Sequence, residues 1–68
     1  IIIPEVAETK AMEKVGSDFQ TMDWTVEREN GSGVYEFDMT TGGGKNAEVK
    51  VDATSGKVIS AKVKNTKY

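Results

Sequence analysis

A chain of 68 residues with 9 basic and 11 acidic side chains, net charge −2, has room for one small domain and lacks the basic face that nucleic acid requires. It contains no cysteine and no histidine, which excludes disulfides, thiolate metal sites and the usual general base near neutral pH. Its longest apolar run, Ile1-Ile2-Ile3, is far too short to cross a membrane.

A chain this short buries only about 60% of its unfolded surface, so the core must be thin: one sheet face against one helix. The first residue is not Met, which fits either removal of a targeting segment or excision from a longer chain.

The spacing predicts a helix over Pro4–Val15. Proline suits the first helical turn, where its missing N–H costs nothing. Glu5 and Glu8 oppose the positive end of the helix dipole, and Lys10 and Lys14 fall toward the other end. Gly16 reads as the stop, free to take a left-handed conformation. The apolar stripe is Ile3, Ala7, Ala11 and Val15, with Val6 and Met12 at its margins. Small alanines at successive turns let such a helix lie close on a sheet.

Beyond Asp18 the apolar period changes to two. Met22, Trp24 and Val26 alternate with polar residues, as do Tyr35, Phe37 and Met39, then Ala47, Val49 and Val51, then Ile59, Ala61 and Val63. Asn30-Gly31, Gly42-Gly43-Gly44 and the Asp52–Lys57 turn separate the four segments. The expected architecture is α+β: one N-terminal helix packed on a four-stranded antiparallel β-meander, residues 1–68 forming a single domain.

Turn lengths fix a register, because a slip by one residue inverts every side chain. A tight Asn30-Gly31 turn sets Val26 opposite Tyr35, Trp24 opposite Phe37 and Met22 opposite Met39, and a four-residue loop would keep the same parity. The glycine loop sets Phe37 opposite Val49 and Tyr35 opposite Val51. A Thr54-Ser55-Gly56 loop sets Val51 opposite Ile59 and Val49 opposite Ala61. Asp52 is placed to accept bonds from N–H groups of its own turn.

Val-Tyr-Glu-Phe-Asp-Met at 34–39, followed by Glu-Val-Lys-Val-Asp-Ala-Thr-Ser-Gly-Lys-Val-Ile at 48–59, resembles the PepSY domain family. The likeness runs from end to end and includes the helix with alanines four apart, Ala7 and Ala11. Ser55 stands where threonine is commoner, and the second loop is richer in glycine. The resemblance implies a secreted, periplasmic or cell-envelope module in a bacterial protein. It implies a protein partner, a metallopeptidase being the class suggested by the family's occurrence in propeptides and its proposed inhibitory role. The alternative is a structural or sensory module of an envelope protein with no peptidase partner. The family carries no agreed catalytic residues, so none is assigned, and no cofactor is expected.

The predicted outer face carries Glu36 opposite Lys50 and Glu48 opposite Lys62. It also carries Asp23 opposite Asp38, and Asp38 opposite Glu48. This acidic row reads first as a solvated face, and otherwise as a patch for a basic partner or a weak divalent-cation site. If the sheet is longer than the helix covering it, Met22 and Met39 form an apolar rim at one end. Gly43, at the tip of a mobile hairpin, is a candidate contact wedge. Gly42-Gly43-Gly44-Lys45 is followed by a strand rather than the helix a phosphate loop needs. Trp24 and Tyr35 are expected in the core, unless the sheet outreaches the helix that covers it. Ser17, Ser55 and Ser60 have no base to activate them, so no enzymatic activity is expected.

Overall fold

The computed structural model of the chain describes residues 2–29 and 31–65. Helix α1 spans Pro4–Val15, and four strands follow: β1 Gln20–Glu29, β2 Ser32–Thr40, β3 Lys45–Asp52 and β4 Val58–Asn65. They form one antiparallel sheet in the order β1-β2-β3-β4, the meander expected from the sequence.

Helix α1 starts at Pro4 because Ile3 keeps extended backbone, φ −77° and ψ 157°, and offers no capping side chain. Its end is set by Gly16, whose N–H donates to the Met12 carbonyl at 2.8 Å. Gly16 sits at φ 125° and ψ 148°. That is a positive φ suited to glycine, but not the compact left-handed turn expected. Ala7 and Ala11 are fully buried, with Met12 and Val15 partly so. The stripe fails at Ile3, which is exposed. Lying outside the helical turns, Ile3 falls out of phase, and Ile2 packs on the core instead. The Ile2 N–H donates to the Ala53 carbonyl at 2.7 Å, pinning the lead-in to the turn after β3.

Helix α1 lies mainly over β3 and β4 and reaches β2 less. Under it Phe37, Met39, Val49 and Val51 are the largest fully buried side chains. Phe19, between helix and sheet, and Ala53 also belong to this core. Val34 is buried as well, although it occupies the opposite phase of β2.

The expected pairs Val26–Tyr35, Trp24–Phe37, Phe37–Val49, Tyr35–Val51 and Val49–Ala61 are all present. Two differ. Thr21, not Met22, lies opposite Met39, and Met22 is the extra residue of a bulge. Val58, not Ile59, lies opposite Val51, because a bulge in β4 takes up Ile59. The turn accordingly closes one residue earlier, with the Asp52 N–H donating to the Lys57 carbonyl at 2.8 Å. Each bulge inserts one residue and kinks an outer strand of the sheet. Asn30, whose turn conformation was inferred above, lies outside the described residues; Gly31 has φ 81°.

Candidate interaction surface

The residues of β1 alternate as a half-buried strand should, yet their apolar phase is open to solvent. Trp24 is 46% exposed and Val26 57%, while their opposites Phe37 and Tyr35 are in the core. Trp24 therefore corrects the expectation of a core side chain: the helix reaches β2 but does not extend far enough to enclose β1. Tyr35 meets that expectation. Its hydroxyl donates to the Ile2 carbonyl at 2.8 Å.

The Trp24 ring nonetheless packs against two core rings. Its centroid lies 5.9 Å from that of Tyr35 and 6.4 Å from that of Phe37, in tilted arrangements that aromatic pairs favour. One side of the indole rests on the core and the other meets water. Beside it, Val26, Arg28, Gly33, Tyr35 and Ala53 line an open groove of about 470 Å³.

Of the expected site residues, Met22 is 68% exposed and Met39 is 2% exposed, so the methionines do not form a paired rim. The bulge displaces Met22 from the position opposite Met39. A smaller hollow of about 300 Å³ still brings Met22 and Met39 together with Asp38 and Glu48. The neighbouring Thr21 Oγ1 is buried without a hydrogen-bond partner.

The acidic row is arranged as the register required: Asp23 opposite Asp38, Asp38 opposite Glu48, and Glu48 opposite Lys62. Among the described residues no group of three or more acidic side chains is placed to hold a metal ion. The Asp23 carboxylate instead accepts the N–H of Trp24 at 2.9 Å.

Gly43 is exposed at its hairpin tip. The loop around it is internally bonded, since Thr41 Oγ1 accepts the N–H groups of Gly43 and Lys45, each at 3.3 Å.

In the third turn Asp52 Oδ1 accepts the N–H of Thr54 at 2.7 Å and of Ser55 at 3.0 Å. These backbone bonds, that of Ser55 foremost, hold the carboxyl below its ordinary pKa. Gly56, φ 77°, completes the turn by donating its N–H to the Asp52 carbonyl at 2.8 Å.

Phe19, Val34 and Ala53 are core residues that the periodicity left unassigned. An aromatic residue in the link between helix and strand was the one available signal for Phe19.

Fold and surface together define a small α+β module that presents one outer strand of its sheet, apolar phase included, to solvent. The sequence profile of PepSY, described as "Peptidase propeptide and YPEB domain", matches residues 4–62. The chain belongs to the PepSY family. No curated protein and no solved structure matches it. Among the described residues, no helix is long and apolar enough to cross a membrane.

Proposed function

We propose that this chain is a non-catalytic interaction module, acting outside the cytoplasm, that binds and restrains a secreted metallopeptidase. The observation that carries this reading is the uncovered apolar row of β1. Trp24 is held against Tyr35 and Phe37 on one side and open on the other. A half-exposed tryptophan packed against core rings beside a groove supplies contact area, and such residues dominate binding energy in protein interfaces. Exposed apolar patches of this kind mark partner sites. The family description, which names peptidase propeptides, supports a peptidase as the class of partner. The module acts by covering its partner rather than by chemistry. The chain lacks the histidine and cysteine of common catalytic groupings, and its paired carboxylates Asp38 and Glu48 border only an open hollow on the sheet.

The test is inhibition. The domain is added to a panel of secreted metallopeptidases freed of their own propeptides, and substrate turnover is followed. At least one enzyme is slowed by the native chain, and the slowing is lost with Trp24→Ser. If no enzyme is slowed, or if Trp24→Ser slows it equally, this reading is wrong.

A further inference from the structure

The hydrogen bond between the Trp24 N–H and Asp23 Oδ1 says more than that one donor is satisfied. In an antiparallel pair, residues alternate between bonding across to the neighbour and facing away from it. A Trp24 N–H held by a side chain belongs to the phase that faces away from β2. The register is unbroken from Asp23 to Glu29, so Val26 and Arg28 share that phase. The next hairpin agrees. The Thr41 N–H donates to the Lys45 carbonyl. Counting back along the alternation turns the peptide groups of Phe37 toward β3 and leaves its partner Trp24 facing outward.

The outward-facing backbone of β1 and its exposed apolar side chains therefore belong to the same residues, Trp24 and Val26. The intervening phase, Asp23, Thr25 and Glu27, is exposed and carries two carboxylates. An added antiparallel strand would place apolar side chains beside Trp24 and Val26 on one face and basic ones beside Asp23 and Glu27 on the other. We propose that the edge of β1 accepts, as a fifth strand, an extended partner segment that alternates apolar and basic residues. This rests on the reading of β1 as the contact strand and specifies what that strand recognises. Asp23 has two parts in it. In the free domain its carboxylate covers the Trp24 N–H, and the bulge at Met22 bends the strand; both hinder unwanted edge pairing. A basic side chain on the incoming strand draws that carboxylate away and frees the N–H for main-chain pairing.

The probe is a blocked peptide of three valine–lysine repeats, titrated into the intact domain while the emission of Trp24, its one tryptophan, is read. The expected result is a saturable blue shift that weakens with salt. Affinity falls about tenfold or more when lysines become glutamates. It also falls about tenfold or more when the valine nitrogens are methylated, and by less than about threefold when the lysine nitrogens are. Asp23→Asn with Glu27→Gln weakens binding and flattens the salt dependence. No binding at millimolar peptide, or any other methylation pattern, overturns the proposal. So does concentration-dependent self-association of the domain that Lys62→Glu abolishes, since the occupant would then be β4 of a second copy. If the methylation pattern fails while Trp24→Ser still releases the peptidase, the face of β1 is the contact and its edge is not.

Discussion

The hydroxyl of Tyr35 donates to the carbonyl of Ile2 at 2.8 Å, joining the sheet to the segment that leads into the helix. Together with the Ile2 N–H bond to Ala53, it fixes where α1 begins over the sheet. Tyr35→Phe removes one partly buried bond while keeping the ring packed against Trp24 and Phe37. The expected loss is about 1 kcal/mol, read as a lower urea midpoint with unchanged slope.

Thr21 offers the opposite case. Its hydroxyl is buried without a partner beside the bulge, and a buried unsatisfied polar atom opposes folding. Thr21→Val keeps the shape and the β-branch while removing that atom. The variant should be more stable by about 1 kcal/mol, with unchanged peptide binding. A lower melting temperature would show that the hydroxyl is satisfied in solution.

The alternation of apolar residues fixes parity, which is why Val26–Tyr35, Phe37–Val49 and Val49–Ala61 could be paired from sequence alone. A bulge adds one residue without a compositional mark, so the displacement of Met22 and Ile59 was not legible. Neither was the exposure of Trp24. Its phase on the strand was readable, but its burial depends on how far the helix extends across the sheet. The acidic row was readable because charges at a known register need no further packing information. The side-chain bond from Asp23 to the Trp24 N–H was not, since it depends on a local side-chain conformation.

Asp52 gives a pH prediction with a definite sign. Backbone bonds from Ser55 and Thr54 lower its folded-state pKa below the ordinary value of 3.8. A lowered pKa means the carboxylate's contribution is fully present above the unfolded value. It is lost as pH falls from about 4 through the lower folded value. Asp52→Asn should therefore flatten the dependence of melting temperature on pH below about 4 and leave the neutral-to-alkaline range parallel to the native chain. An unchanged acid limb would show that Asp52 is not held by its turn.

Two aromatic residues facing one another across β1 and β2 should separate stability from binding. Phe37→Ala empties a core site and costs about 3–5 kcal/mol, comparable with the whole stability of a domain this size. It should abolish cooperative unfolding at 25 °C. Trp24→Ser alters a half-exposed position, so the fold should persist with its cooperative transition intact while partner binding is lost. Equal destabilisation by both would mean that Trp24 is a core residue in solution.

The central claim is that the open face of Trp24 is where the partner sits. The most direct measurement labels the domain with 5-fluorotryptophan, which places one fluorine reporter at Trp24, and follows its resonance as an unlabelled peptidase that the domain slows is added. The free resonance should shift or disappear in proportion to complex formed, in step with inhibition. An inhibited peptidase with the Trp24 resonance unmoved would contradict it and place the contact elsewhere on the domain.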